Sequence, residues 1–175
     1  MRVTIITDST ADLIPAVKAK VLTVPLTVHF GDTEYIDGIT IDHRTFYEKL
    51  IETDVIPSTS QATPAAFAEK YALVDSAVVI TLSGKLSGTY QSAVAAAGLC
   101  DHADDITVVN TRTLCGPHRY LVEQAVRMAK DGATMEELLN WLNPRLDTAR
   151  SYLIPADFDY LRRGGRLSPL VSHVG

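Results

Sequence analysis

The segment from Ala77 to Leu82 constrains the fold most strongly, because it is apolar and β-branched with almost no polar interruption. A strand without polar alternation is typical of a parallel sheet whose two faces are both covered by helices. Val3 to Thr7 and Ile106 to Val109 are shorter runs of the same character, and helix signals lie between the three runs. The sequence therefore predicts an α/β fold with a mainly parallel sheet flanked by helices.

Turn and capping residues define the other predicted elements. Pro25 interrupts a β-rich run, and Pro144 is expected to end or kink the helix that contains it. Thr63 followed by Pro64 predicts a helix start, and a capping-box pattern predicts another at Thr134. The remaining predicted strands are Val21 to Phe30, Glu34 to Ile36 and Ser151 to Ile154. The remaining predicted helices are Asp42 to Thr53, Gly88 to Leu99, Tyr120 to Lys130 and Asp157 to Arg163.

The length of 175 residues suits either one domain or one domain together with part of a second. We predict an α/β domain over residues 1–154 and the start of a truncated second domain over residues 155–175, where Ser168 to Gly175 has the pattern of another element beginning. The apolar run at the N-terminus is too short for a signal peptide or a membrane span, and Asp8 follows it at once. We therefore expect a cytoplasmic protein.

The charge pattern and the cysteines argue against several functions. The chain has 16 basic and 21 acidic residues and a net charge of −5, which argues against nucleic-acid binding. Cys100 and Cys115 lack the spacing of a metal site or a redox pair, so we expect two reduced thiols. The histidines show no metal spacing and are interpreted as structural or solvated, and no metal or cofactor is predicted. They are His29, His43, His102, His118 and His173.

Polar loops follow the predicted strands, at the edge where ligands bind in open parallel sheets. These loops are rich in hydroxyl and amide groups, and they contain neither a Cys–His pair nor two carboxylates suited to acid–base catalysis. Asp8 and Asp12 are too close in sequence for such a pair and are expected to cap a loop or a helix. The loops are Asp8 to Thr10, Ser58 to Gln61, Ser83 to Thr89 and Asn110 to Arg112.

The loop from Ser83 to Thr89 has the sharpest chemical signal. It precedes a predicted helix, whose first N–H groups lack intrahelical partners and attract anions. Ser87 fits the N-cap position, so its hydroxyl is expected either to cap the helix or to turn toward a bound carboxylate or phosphate. The loop lacks the Gly-Lys-Ser/Thr ending of a Walker loop and the Gly-x-Ser-x-Gly pattern of a nucleophile elbow.

Two other segments leave a structural and a functional interpretation open. Ser58, Thr59 and Ser60 are three successive hydroxyls before a predicted helix, which suits either an N-terminal capping loop or a binding site. Arg166 follows two glycines, and it is either a solvated arginine or a cation held over an acidic headgroup or partner surface.

Six segments along the chain form a specific combination. They are Thr7 to Leu13, Val24 to Leu26, Tyr35 to Gly38, Pro57 to Gln61, Leu86 to Ala93 and Tyr160 to Leu167. In this order they resemble the DegV family over nearly the whole chain. The sequence departs mildly from the family pattern at Ala62, where a proline is usual, and at Gly84, where a serine is common.

The resemblance implies that the chain binds long-chain fatty acids such as palmitate and is not itself an enzyme. It implies that Thr59 and Ser87 hold the carboxylate, and that Arg166 supports the headgroup or a partner interface. The loop neighbours of these residues are Ser58, Ser60 and Gly88. The resemblance implies no cofactor, and the ligand that it implies is the fatty acid itself.

The resemblance also implies a partner. Some family members present the lipid to a separate kinase subunit, which phosphorylates the acyl carboxylate. Members also have a second domain that covers the acyl chain and supplies a histidine near the C-terminus, and His173 falls too early to be this histidine. Two alternatives to fatty-acid binding stay open: a hydrolase or small-molecule phosphotransferase with Ser87 as its nucleophile, and a truncated domain that binds nothing.

Overall fold

Two β-sheets of different type organise the chain in this computed structural model, which describes residues 2–154, 161–162 and 164–166. The strands of this part are β1 (Thr4–Asp8), β2 (Leu22–Val24), β3 (Thr27–Phe30), β4 (Thr33–Ile36), β5 (Ser58–Ser60), β6 (Ala77–Thr81) and β7 (Ile106–Asn110). Its α-helices are α1 (Pro15–Lys18), α2 (His43–Glu52), α3 (Pro64–Tyr71), α4 (Thr89–Ala97), α5 (Cys115–Lys130) and α6 (Met135–Leu146). A parallel sheet has the order β2-β1-β6-β7, and an antiparallel sheet has the order β4-β3-β5. The predicted α/β class is confirmed.

The strand β6 occupies the centre of the parallel sheet and confirms the prediction made from its apolar sequence. All of its residues are buried, and it pairs with β1 on one side and with β7 on the other. The strand ends at Thr81, one residue before the end of the apolar run, and the Thr81 hydroxyl donates to the carbonyl of Val109. A strand buried on both faces requires helices above and below the sheet.

Alternate residues of β6 face two separate helix layers. Val78 belongs to a cluster that includes Leu121 of α5, whereas Val79 belongs to a cluster that includes Phe67 of α3 and Ala93 of α4. Each fully buried large apolar side chain contributes about 1.5–3 kcal/mol. The two clusters therefore fix the helices on both faces of the sheet. The packed sheet and helices give rigid support to the loops at the carboxyl edge.

The helix starts that capping residues predicted are confirmed. Asp42 accepts a hydrogen bond from the N–H of Thr45 at 2.7 Å, and Thr63 accepts one from the N–H of Ala66 at 3.2 Å. Thr134 forms the full reciprocal capping box at the start of α6. Each cap contributes about 1 kcal/mol to the helix that it begins.

One predicted helix start was wrong. α5 begins at Cys115, ahead of the predicted Tyr120, because its first turn already carries the fully buried His118. α6 continues through Pro144 to Leu146. Pro144 lies in the last turn of this helix, where its missing N–H removes only one backbone hydrogen bond, and the helix ends shortly after it.

The predicted strand from Ser151 to Ile154 is not formed. Side-chain hydrogen bonds fix its first residue instead: the Ser151 hydroxyl donates to the carbonyl of Leu114 at 2.9 Å and lies 2.6 Å from the hydroxyl oxygen of Thr113. The predicted helix from Asp157 to Arg163 and the predicted second-domain segment 155–175 lie outside the described residues, except for Leu161, Arg162 and Gly164 to Arg166.

Candidate functional site

The carboxyl end of β1 is joined to the end of β6 by one buried carboxylate. Asp8 is fully buried, and its Oδ1 accepts hydrogen bonds from the N–H of Thr10 at 3.0 Å and from the Thr10 hydroxyl at 2.6 Å. Its Oδ2 accepts a hydrogen bond from the N–H of Leu82 at 2.8 Å. Asp8 therefore caps its own turn, as the sequence predicted, and also fixes the start of the loop that leads to Ser87.

Thr59 lies in the middle of the edge strand β5, although the sequence predicted a loop there. It is directly opposite Val28 of β3, whereas Ser58 and Ser60 point to the other face of the antiparallel sheet. All three side chains are exposed. The pattern escaped prediction because a short polar segment carries no strand signal of its own and becomes a strand only through its pairing with β3.

Gln61 joins the segment of Thr59 to the start of α4. Its side-chain Nε2 donates to the Ser92 hydroxyl at 2.9 Å, and the next N–H, that of Ala62, donates to the Thr89 hydroxyl at 3.3 Å. A Cβ placed on Gly88 would lie 1.9 Å from Gln61 Oε1. The glycine therefore permits a close approach of the two segments. The sequence analysis had assigned no role to Gln61.

Ser87 lies one residue ahead of the N-cap position, which Gly88 occupies without a side-chain cap. The predicted N-cap assignment of Ser87 was therefore wrong by one residue. Its Oγ nevertheless accepts a hydrogen bond from the N–H of Thr89 at 3.3 Å and lies 2.9 Å from the Thr89 hydroxyl oxygen. The side chain is half-buried, and among the described residues no histidine or carboxylate contacts it that would make it a nucleophile.

Arg166 follows Gly164 and Gly165 in a surface turn. Its side chain is exposed, and its guanidinium donates to the carbonyl of Gly164 within the same turn. Within the described residues it makes no hydrogen bond to Thr59 or Ser87. Thr59 and Ser87 thus belong to adjoining segments, and no hydrogen bond among the described residues joins Arg166 to either of them.

An apolar cleft of about 840 Å³ begins beside β5. The helix α2 turns Phe46 and Leu50 toward it, whereas Tyr47 and Ile51 on the same helix are 61% and 84% exposed. The remaining lining residues are Asp54, Ile56, Pro57, Ser58 and Gly164. The ring of Phe46 packs edge-on against Phe30 of β3 with centroids 5.6 Å apart, which fixes α2 against the antiparallel sheet.

A polar row crosses the antiparallel sheet on the face opposite Thr59. Ser60 Oγ lies 2.7 Å from His29 Nε2, and His29 Nδ1 lies 3.6 Å from Glu34 Oε1. The three residues come from β5, β3 and β4, which are adjacent in the sheet. The sequence interpretation of His29 as a structural or solvated residue missed this row, because strand pairing alone brings its members together.

A second cavity, of about 310 Å³, lies at the carboxyl ends of β1 and β2. Asp12, Lys18, Asp37 and His43 contribute charged or titratable side chains to its wall.

Across the described ranges, no group of three or more His, Cys, Asp or Glu side chains is arranged to bind a metal ion. In the same part of the chain, no helix has the length and hydrophobicity needed to cross a membrane.

His118 is a buried histidine below the carboxyl edge of the parallel sheet. Its Nε2 lies 3.1 Å from the hydroxyl oxygen of Thr7 and 3.1 Å from the carbonyl of Ile80. Because the Thr7 hydroxyl already donates to the same Ile80 carbonyl at 2.7 Å, we assign the proton to Nε2. Burial lowers the pKa of His118, and the charge of the nearby Asp8 opposes this shift.

Comparison with known proteins identifies relatives along the whole chain. A family model described as "Uncharacterised protein, DegV family" matches residues 2–175. A DegV domain-containing protein of Caldanaerobacter subterraneus is 36% identical over 99% of this chain, and a fatty acid-binding protein of Thermotoga maritima is 34% identical over 100% of it. In both comparisons the chain spans 64% of the length of the relative.

A solved structure shares the fold. It is a fatty-acid-binding DegV family protein of Thermus thermophilus, which is 33% identical and superimposes with a TM-score of 0.83. The match covers 100% of this chain and 64% of that protein. The similarity therefore extends over both sheets and over the adjoining segments that carry Thr59 and Ser87.

Proposed function

Because the chain belongs to the DegV family, we propose that it binds a long-chain fatty acid such as palmitate and holds the carboxylate between β5 and the start of α4. The fatty-acid binding named for its relatives from Thermotoga maritima and Thermus thermophilus supports the ligand class. The observation that carries the location is the contact of Gln61 with Gly88 and Ser92, because it makes the segments of Thr59 and Ser87 adjoin.

A chain of hydrogen bonds orients the Ser87 hydroxyl for this task. The N–H of Ala62 donates to Thr89 Oγ1, so the Thr89 hydroxyl is free to donate its proton to Ser87 Oγ. Ser87 then retains its own O–H as a donor for a ligand carboxylate. Hydrogen bonds that point the same way along such a chain strengthen one another, and the first N–H groups of α4 add a favourable field for an anion.

The acyl tail extends from this headgroup site into the apolar cleft. Phe46, Leu50 and Ile56 line the cleft, and Ser58 at its wall is the residue next to Thr59. Burial of each methylene contributes about 0.8 kcal/mol. A chain of palmitate length therefore gains most of its affinity from the tail, and the carboxylate contacts fix its direction.

Arg166 has a supporting role in this proposal. Its turn includes Gly164, which lines the cleft, so the exposed guanidinium lies near the cleft rim. A planar cation at a rim suits an acidic headgroup or an acidic partner surface. The proposal includes presentation of the bound lipid to a fatty acid kinase catalytic subunit in the cytoplasm, and this chain supplies binding without chemistry at the headgroup.

Native mass spectrometry of the purified chain, followed by extraction and lipid identification, tests the proposal. We expect a stoichiometric long-chain fatty acid of about 14–18 carbons, because burial of the tail methylenes supplies most of the affinity. Thr59→Ala and Ser87→Ala should each weaken binding roughly 10- to 150-fold, because each removes one hydrogen bond to a charged group. Thr33→Ala is the matched control, since Thr33 is an exposed threonine of the same sheet on the distant strand β4.

The two alternatives predict different outcomes. This chain could carry no lipid while a version extended by the segment of its longer relatives does carry one. That result would mean that the headgroup site serves fatty-acid binding and that the added segment is needed to cover the acyl tail. No lipid on either version would contradict the proposal. Ester turnover that disappears in Ser87→Ala would favour a hydrolase with Ser87 as nucleophile.

A further inference from the structure

The proposed fatty-acid site leaves unused a cavity of about 310 Å³ at the carboxyl ends of β1 and β2. Of the six segments that resemble the DegV family, three contain the residues proposed to bind the headgroup. The other three contribute Asp12, Pro25 and Gly38, among other residues, to the wall of this cavity. Ligands of open parallel sheets bind outside the carboxyl ends of the strands, so the cavity occupies a position at which a ligand is expected.

The volume of the cavity and the apolar part of its wall suit a small molecule. An engineered protein cavity of about 150 Å³ binds benzene, so about twice that volume accommodates a molecule somewhat larger than one aromatic ring. Leu13, Val21, Pro25 and Ile39 supply apolar surface to the wall. Ile39 is 72% exposed, and an apolar group bound beside it would remove part of its surface from water.

Three hydrogen-bond donors at this wall have no acceptor among the described residues. The hydroxyl oxygen of Thr23 is buried without a hydrogen-bond partner there, which is costly for a polar group. The Ser9 hydroxyl oxygen accepts from the N–H of Leu26 at 3.1 Å, so its own proton is free to be donated. Lys18 Nζ lies 3.1 Å from the position that a Cβ on Gly38 would occupy, and it forms no ion pair within the described ranges. A ligand carboxylate would accept hydrogen bonds from such donors.

Two carboxylates at the same wall have unused acceptor sites. The side chains of Asp12 and Asp37 form no hydrogen bond and no ion pair with other described residues, whose contacts to these two positions involve only backbone atoms. Asp8 differs, because its two oxygens already accept hydrogen bonds from Thr10 and from the N–H of Leu82. An ammonium group of a ligand would donate to Asp12 and Asp37 with charge-assisted hydrogen bonds.

We propose that this cavity binds a free amino acid with an apolar side chain, such as leucine or phenylalanine. The carboxylate of the amino acid accepts from Lys18 and from the hydroxyls of Ser9 and Thr23. Its ammonium group donates to Asp12 and Asp37, and its side chain packs against the apolar part of the wall. A ligand with a carboxylate alone, such as a fatty acid, would leave both aspartates without a partner and would place its own negative charge near theirs.

Isothermal titration calorimetry of the full chain with L-leucine and with L-phenylalanine tests the site. We expect one binding site and an affinity for L-leucine that exceeds, by about 10-fold or more, the affinity for two analogues of the same apolar shape. Isocaproate lacks the ammonium group of leucine, and isoamylamine lacks its carboxylate. Each analogue therefore loses the charge-assisted hydrogen bonds of one end of the ligand.

Variants with matched controls assign the contacts. Lys18→Gln and Asp37→Asn should each weaken L-leucine binding by about 10-fold or more, because each removes one charged partner. Lys20→Gln is the control for Lys18, since Lys20 is an exposed lysine that lines a different cavity. Asp32→Asn is the control for Asp37, since Asp32 is an exposed aspartate outside the cavity wall.

Thr23→Val distinguishes a hydroxyl that binds the ligand from one that supports the fold. Valine keeps the shape of threonine and removes the buried hydroxyl that lacks a partner, so the ligand-free chain should be as stable in urea as the wild type or more stable. The affinity for L-leucine should fall in the same variant. Lower stability with unchanged affinity would overturn the role of Thr23.

Three results would overturn the amino-acid site: no binding of either amino acid, binding of isocaproate as tight as that of L-leucine, or equal affinities of Lys18→Gln and Lys20→Gln. Fatty-acid binding measured on the same variants separates this inference from the proposed function. Wild type that binds a fatty acid but neither amino acid would refute the amino-acid site and leave the fatty-acid proposal standing.

Discussion

The side-chain amide of Gln61 occupies the space that a Cβ on Gly88 would need, with Gln61 Oε1 1.9 Å from the position of that Cβ. This contact joins an edge strand of the antiparallel sheet to the first turn of a helix that packs on the parallel sheet. The two hydroxyls proposed to bind a carboxylate, those of Thr59 and Ser87, lie in the segments on either side of it. Their spacing therefore depends on the absence of a side chain at residue 88.

A methyl group at this position should weaken both stability and lipid binding. We expect Gly88→Ala to lower the free energy of unfolding by about 1–3 kcal/mol, since either the Gln61 amide or the helix start must move. Gly116→Ala in α5 is the matched control, because no heavy atom lies within 4 Å of a Cβ built there, and it should be neutral or slightly stabilising. Urea unfolding and fatty-acid affinity are measured for both variants. An unchanged affinity in Gly88→Ala would show that the contact between Gln61 and Gly88 is not needed for fatty-acid binding.

The buried carboxylate of Asp8 provides a second test, directed at the support of the site. Asp8→Asn should destabilise the fold by about 2–3 kcal/mol. The carboxylate accepts from Thr10 with one oxygen and from the buried N–H of Leu82 with the other. An asparagine amide has only one oxygen, so one of these two donors would lose its acceptor. Asp75→Asn, at an exposed aspartate, should change stability by less than about 0.5 kcal/mol. Equal stability of the two variants in urea unfolding would show that the Asp8 bridge contributes little.

The elements that the sequence predicted correctly are those whose signal is local. The apolar run of β6 requires burial on both faces wherever it is placed, and Asp42, Thr63 and Thr134 cap helices through bonds to residues three positions away. Such interactions depend little on the rest of the fold, so the α/β class and most helix starts could be predicted.

The features that escaped prediction depend on residues distant in sequence. Ser58 to Ser60 form a strand only because β3 is available for pairing, and Gln61 acquires its role only when Ser92 lies opposite it. The hydrogen bond of Ser60 to His29 also requires strand register, which a polar segment does not encode by itself. The sequence located the two candidate segments through family resemblance, and only the fold shows how they meet.

The buried histidine of α5 should make stability depend on pH. Burial lowers the pKa of His118 from the ordinary value of 6.5, so the unfolded chain binds its proton more readily than the folded chain. The contribution of neutral His118 to the free energy of unfolding is therefore complete at pH values above the pKa of the unfolded chain, and it is lost as the pH falls below that pKa. Among the described residues its Nδ1 has no hydrogen-bond partner, so an added proton there would be buried without an acceptor.

The measurement is the free energy of unfolding in urea at about pH 7.5 and about pH 5.5, on either side of the ordinary histidine pKa. We expect the wild type to lose stability at the lower pH, and His118→Gln to lose less. Gln keeps a donor for the carbonyl of Ile80 and does not titrate, which makes it the suitable comparison. The same loss in both proteins would assign the pH dependence to other groups.

The apolar cleft allows a prediction about the length of the acyl chain. Leu50 lines the cleft, so Leu50→Trp should fill part of it and exclude the end of a long tail. Each methylene that no longer fits costs about 0.8 kcal/mol, which is about a fourfold loss of affinity, so the preferred fatty acid should become shorter. Tyr47→Trp is the matched control, because Tyr47 lies on the same helix but faces solvent. Competition among saturated acids of increasing length, read by native mass spectrometry, compares the two variants. An unchanged length preference in Leu50→Trp would place the acyl tail outside this cleft.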